Sequence, residues 1–213
     1  MADYTFFTNP MSRGQIARWA LHEVGADYET EIVEYGPPES KPPAFLKANP
    51  MAKVPTLVHH HDGDHIHVVT EGAAICHYLA EMHPDAGLLP EPHEKADYFR
   101  YLFFAAGPME QAVTSNAMGW TPTEDQQAMA GFGSYDRAVD AFETMLSGRD
   151  FVCGDRFTMA DVYVGSQAIW GTDFGTVPKR DAILAYAERC KARPAYREAK
   201  AIDEKLIAGA QDD

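Results

Sequence analysis

NPMAKVPTLVHHHDGDHIHVVTEGAAI, residues 49–75, combines a turn, a hairpin and the start of a helix that carries an acid. At its centre is Lys53-Val54-Pro55. A proline between a basic residue and a short β-prone run has no N–H to give a sheet ladder, so it marks the first residue of a strand or an edge. The N–H and C=O of Val54 are then left for another partner. Thr56 to Val58 and Ile66 to Val69 flank Asp62-Gly63, a hairpin turn signal, and read as two antiparallel strands. Thr70-Glu71-Gly72 next opens an apolar-periodic run, which sets a carboxylate and several unpaired backbone N–H groups at a helix start. An exposed main-chain edge beside an anion-binding helix end suits a peptide-like ligand.

Toward the N-terminus, Tyr4 to Phe7 reads as a short buried strand, residues 8–14 as a polar loop, and Ile16, Ala20, Leu21 and Val24 as one face of a helix closed by Gly25. Tyr28 to Val33 alternates apolar and acidic residues as a half-exposed strand, so a parallel βαβ unit is expected. Pro37, Pro38, Pro42 and Pro43 make the next connection irregular before the apolar pair Phe45-Leu46. Beyond the hairpin, Ile75, Tyr78, Leu79 and Met82 follow helical spacing until Pro84. Residues 84–92 hold three prolines and a glycine and read as a linker, after which strand signals fade. Phe99, Leu102, Phe103 and Ala106 form one helical stripe, and Phe132, Tyr135, Val139, Phe142 and Leu146 another. Thr158 and Asp161 form a capping box opening a further helix, and Ile183, Ala187 and Cys190, then Tyr196, Ala199 and Ile202, give two closing helices. The expected order is βαβαββα over residues 1–83, a linker over 84–92 and an all-helical domain over 93–213.

With 213 residues and 46% hydrophobic content, the chain can bury a real core. Its apolar runs fall short of a membrane span and the start MADYTFF lacks the features of a secretory signal, so a cytoplasmic protein is expected. Cys76, Cys153 and Cys190 form neither a CxxC pair nor a disulfide framework, which suits a reducing compartment. A net charge of −14 argues against a nucleic-acid partner. An anionic ligand would therefore need local lysines and arginines.

Four stretches, NPMSRGQIARWALHEVGADYE, FLKANPMAKVPTL, TEGAAICHYLAE and FTMADVYV, stand in an order that resembles the glutathione transferase superfamily almost end to end. The resemblance implies a thioredoxin-like α/β N-terminal domain, an all-α C-terminal domain, and a homodimer with two glutathione sites at the domain boundary. It implies glutathione as co-substrate and a small apolar electrophile as acceptor. Pro55 matches a proline that is cis in the family and turns the Val54 main chain toward the cysteinyl part of glutathione. Glu71 matches the acid that binds the γ-glutamyl ammonium, while Gly72 departs from the usual Ser or Thr beside it. Backbone N–H groups at the helix start can still bind a carboxylate there. Lys53, and with it Lys41, would meet the glycyl carboxylate.

The chemistry such a site must perform is to ionise a thiol of free pKa about 8.5, and a shift of two units asks for about 2.7 kcal/mol of preferential thiolate binding. Ser12, at the entry to the first helix, matches the hydroxyl of Ser-type members with a one-residue shift in the loop. Read without the resemblance, it is a helix cap. Asn9 is an alternative donor, Tyr4 and Thr8 are further hydroxyls near the strand end, and Arg13 would add a positive field. Met11, Phe103, Met118, Trp120 and Trp170 are candidates for an apolar acceptor pocket. The alternatives are a glutathione-dependent disulfide or peroxide reductase, suggested by Asn9-Pro10, and a non-catalytic dimeric scaffold, suggested by Gly72. His59, His60, His61, His65 and His67 look like a metal cluster, but alternate residues of a hairpin point to opposite faces, so no metal is expected. Cys76 reads as a small buried hydrophobe and Asp161 as a structural cap.

Overall fold

The computed structural model describes residues 2–61 and 65–209; the turn signal Asp62-Gly63 lies outside them. The chain divides into two compact units: residues up to Ala86 together with those from Pro194 on, and Gly87–Arg193.

In the first unit, strands β1 (Tyr4–Thr8), β2 (Tyr28–Ile32), β3 (Thr56–His60) and β4 (Ile66–Thr70) form one sheet in the order β2-β1-β3-β4. Helix α1 (Gly14–Val24) makes the crossover between β1 and β2, which pair in parallel as the βαβ reading requires. The other two pairings are antiparallel. Gly25 ends α1 at φ 65°, a left-handed position that costs a glycine little, with its N–H on the His22 carbonyl at 3.2 Å. Alternation along β1 sends Phe6 and Phe7 to opposite faces. Phe6 lies under the α1 residue Arg18, while Phe7 joins Val33, Val58 and Phe45 of the short helix α2 (Pro43–Ala48) in a second core cluster. Helix α3 (Gly72–Met82) buries Ala73, Ile75, Cys76, Leu79 and Ala80 and packs beside α1.

The last helix, α9 (Pro194–Gly209), groups with this unit rather than with the helical one that precedes it in the chain. It lies on α1, where Arg18 Nε donates to Asp203 Oδ1 at 2.9 Å, with each side chain only 1% exposed. Trp19 and Tyr196 meet edge to face at 5.0 Å beside that pair.

The second unit contains α4 (Lys95–Phe104), α5 (Glu110–Ala117), α6 (Tyr135–Leu146), α7 (Met159–Asp173) and α8 (Asp181–Lys191). Between α4 and α5 the backbone passes through a π-helical turn, Ala105–Met109, around Pro108. The buried face of α4 is Tyr98, Tyr101 and Leu102, continued by Ala105 and Met109, whereas Phe99 and Phe103 stack on each other at 6.2 Å on the exposed side. This differs from the expected stripe because two apolar stripes run along α4, and only the other one continues through the turn. Helix α6 starts at Tyr135 behind Ser134, whose Oγ accepts the Arg137 N–H at 3.3 Å, so Phe132 falls before it. Asp161 is more than a cap. Its carboxylate accepts from Thr158 N (2.8 Å), Thr158 Oγ1 (3.0 Å), Val152 N (2.8 Å) and Tyr186 OH (2.7 Å), which ties α7, α8 and the preceding loop together. Burial pushes its carboxyl pKa up, and these four donors act against that.

No helix among the described residues is long and apolar enough to cross a membrane.

Candidate active site

Strand register places the candidate residues of the first unit along one edge of its sheet. Phe7 is paired with Thr56, and Thr56 with Thr70, so the end of β1, the start of β3 and the end of β4 lie side by side. Asn9 and Ser12 follow the first, Val54 and Pro55 precede the second, and Glu71 and Gly72 follow the third. The end of β2 joins them, since Thr8 is paired with Ile32.

The Val54–Pro55 peptide is cis, as the resemblance implied. The Val54 main chain makes no hydrogen bond among the described residues. The bend ahead of it is shaped by buried Asn49, whose Nδ2 donates to the Lys53 carbonyl at 2.8 Å and to Thr56 Oγ1 at 3.0 Å, while its Oδ1 accepts the Met51 N–H at 3.0 Å. The Lys53 side chain projects into solvent, and Lys41 Nζ donates to the Glu34 carbonyl. Glu71 is exposed and holds φ 67°, ψ 118°, one of two non-glycine residues with positive φ among those described. Its carbonyl accepts the Ile75 N–H at 2.9 Å, so the strained residue opens α3 and presents its side chain beside the first free N–H groups of the helix.

The loop between β1 and α1 is held by its own polar groups. Asn9 is 2% exposed; its Nδ2 donates to the Val33 carbonyl at 3.2 Å and its Oδ1 accepts from Met11 N at 3.0 Å. Ser12 Oγ donates to the Asn9 carbonyl at 2.7 Å and accepts from Gly14 N at 2.9 Å. The hydroxyl is thus a loop cap in the resting arrangement, and a rotation about its C–O bond is needed before its proton can meet a sulfur. Gly14 is required by a close approach: a Cβ there would stand 1.8 Å from Thr8 Oγ1. Tyr4 does not belong to this edge, because it sits at the far end of β1 with its hydroxyl against His83 Nε2 at 3.0 Å; burial pushes its pKa to about 12. Tyr35, which no sequence spacing singles out, braces the loop by donating to the Met11 carbonyl at 3.0 Å. Burial raises its pKa and the Arg13 guanidinium pulls it back, so Arg13 also lies over this loop.

Of the acceptor-pocket candidates, Met11 is exposed in the first unit. Phe103 on α4 and Met118 and Trp120 after α5 are exposed in the second, and Trp170 on α7 meets Phe174 edge to face at 6.2 Å.

A mixed four-stranded sheet in the order β2-β1-β3-β4, with a cis-proline opening β3, defines a thioredoxin-like domain, here accompanied by a helical second unit. Residues 11–82 match the family model for the N-terminal domain of glutathione S-transferase, and residues 98–194 match that for its C-terminal domain. The chain belongs to the glutathione S-transferase family. It is 31% identical over 151 residues to glutathione S-transferase 1 of Schizosaccharomyces pombe, covering 67% of this chain and 64% of that protein. To glutathione S-transferase 1 of Dianthus caryophyllus it is 30% identical over 206 residues, 86% of this chain and 89% of that one. Among solved structures, a sphingomonad glutathione S-transferase complexed with glutathione superposes with a TM-score of 0.72 at 26% identity, covering 94% of this chain and 98% of that chain.

Proposed function

We propose that the chain is a glutathione transferase that binds glutathione along the sheet edge described above and activates its thiol at the β1–α1 loop for attack on an apolar electrophile. The observation that carries this reading is the Val54 main chain, unbonded among the described residues and two residues ahead of Thr56, whose strand partner Thr70 directly precedes Glu71 and the start of α3. A strand-like cysteinyl backbone pairs with the Val54 N–H and C=O. The γ-glutamyl ammonium meets the Glu71 carboxylate and its carboxylate the α3 N–H groups, which need no Ser or Thr at position 72. Lys53 and Lys41 supply charge for the glycyl carboxylate, in a chain whose net −14 would otherwise repel it.

At the sulfur, Ser12 turns its proton from the Asn9 carbonyl to the thiolate, while the Ser12 oxygen stays anchored by the Gly14 N–H. One hydrogen bond to an ion contributes about 1.5–3 kcal/mol, and the α1 N-terminus with Arg13 adds the rest of the two-unit shift. Asn9 orders the loop, and Met11 borders the acceptor. Phe103, Met118, Trp120 and Trp170 are proposed to supply the apolar acceptor surface, and the working form is a homodimer.

Titration calorimetry with glutathione, the thiolate absorbance at about 240 nm and conjugation rates test this in the parent and in Ser12→Ala. The parent binds and shows thiolate at neutral pH. The variant keeps its affinity but loses thiolate and about 10–100-fold in kcat/KM, as expected from one charged hydrogen bond. A variant that conjugates as fast as the parent removes the role of Ser12, and an inert parent that still binds favours the scaffold. Sedimentation is expected to show twice the 23.6 kDa chain mass.

A further inference from the structure

The β3–β4 hairpin gathers its odd-numbered histidines on one face. His59 is paired with His67, and His61 N donates to the His65 carbonyl at 2.9 Å, so the next pair out closes over the same side. His60 points the other way, with its Nε2 2.8 Å from Thr5 Oγ1. Alternation therefore concentrates these side chains instead of scattering them, because only one histidine of the five sits at an even position. Ring centroids are 4.0 Å apart for His59 and His61, 4.5 Å for His61 and His67, and 4.8 Å for His65 and His67. The ring nitrogens point at one another: His61 Nε2 is 2.9 Å from His67 Nδ1, and His65 Nε2 is 3.1 Å from His67 Nε2. Tyr78 OH lies 2.8 Å from His59 Nδ1 and 3.4 Å from His67 Nδ1, closing the inner side.

Two imidazole nitrogens each bound at about 2.0–2.1 Å to one ion stand about 2.9 Å apart at a right angle and about 3.4 Å apart at the tetrahedral angle. The His61 Nε2–His67 Nδ1 separation lies within that window, whereas the His65 contact is to the opposite nitrogen of His67 and brings no third donor to the same point. We propose that this hairpin face is a binding site for a divalent transition-metal ion of the zinc, nickel and copper class. His61 Nε2 and His67 Nδ1 are the cross-strand pair that first holds the ion. As the rings stand, no three ligating side chains among the described residues already surround one point. The third ligand is His65, which is exposed and joins the pair by a turn of its own ring that releases its contact with His67 Nε2. Water fills the remaining positions. Tyr78 OH, held by His59 Nδ1 at 2.8 Å, borders the site on its inner side. Neutral imidazole suits these ions, and copper is bound most tightly of the series. The site uses none of the residues assigned to glutathione.

Calorimetric titration of the metal-free full chain, without a polyhistidine tag and without glutathione, tests it with nickel and zinc chlorides. One ion per chain is expected, with affinity about tenfold or more weaker in His61→Ala and in His67→Ala and unchanged in His60→Ala. Circular dichroism checks that each variant is folded. Ring proton resonances of the parent provide a second reading that needs no variant: zinc shifts those of His61, His65 and His67 and leaves those of His60 and His77 in place. Absence of saturable binding, binding that survives in the His61→Ala/His67→Ala double variant, or resonance shifts spread evenly over the histidines overturns the site.

Discussion

Glu71 concentrates two demands in one residue, since it opens α3 and holds a backbone conformation that side chains disfavour. A non-glycine residue in such a region costs about 1–3 kcal/mol, and it persists where the surroundings fix it. Glu71→Gly is expected to relieve that cost, raising stability to urea by about 1 kcal/mol, while glutathione affinity falls by about tenfold or more as the carboxylate is lost. Calorimetry and urea unfolding on the same preparation read both quantities, and a variant that is less stable, or that binds as the parent does, contradicts the account. The positions of Val54 and Pro55 ahead of a strand and of Glu71 at a helix start were legible because strand ends, a proline and a helix start are local signals, whereas the cis peptide and the roles proposed for these residues came only with the resemblance. The direction of the Ser12 proton was not, because it depends on the Asn9 carbonyl, whose position is set by Asn9 Nδ2 reaching the Val33 carbonyl.

At the level of elements, the βαβ unit and the hairpin follow from period-two alternation, from Gly25 and from the residues that end each run. The phase of α4 does not, since Phe99 and Phe103 compete with Tyr98 and Leu102 for the core and a π turn decides between them. The docking of α9 on α1 was equally hidden: Arg18 and Asp203 are 185 residues apart. The guanidinium also donates to Tyr28 OH at 3.2 Å and to Thr30 Oγ1 at 3.1 Å, yet Arg18 Nη2 and Asp203 Oδ2 find no hydrogen-bond partner among the described residues. Burial pushes the Asp203 carboxyl pKa up while Arg18 pulls it back, so the pair recovers only part of its desolvation. Asp203→Ala is expected to cost about 3–5 kcal/mol in urea unfolding, because it leaves a buried cation unmatched. Arg18→Met combined with Asp203→Leu should cost much less than the two single changes added, and additivity would show that the two side chains do not act as a pair.

The whole molecule is threaded so that its first unit encloses the second in sequence: the chain leaves the sheet domain at Ala86 and returns at Pro194. The family was legible from four ordered stretches because each lies within one unit, whereas the return of the last helix leaves no local mark. A chain ending at residue 193 keeps every strand of the sheet and the whole of the second unit but leaves Arg18 and Trp19 without their cover. It is expected to lose cooperative unfolding of the first unit while Gly87–Arg193 stays helical, which hydrogen exchange would map segment by segment. Equal protection of α1 in the shortened and full chains would overturn this. During synthesis the same threading separates being made from being finished. The sheet leaves the ribosome before α9, whose Asp203 seals the buried guanidinium of Arg18, so a product that stops short of α9 exposes the α1 face that α9 covers.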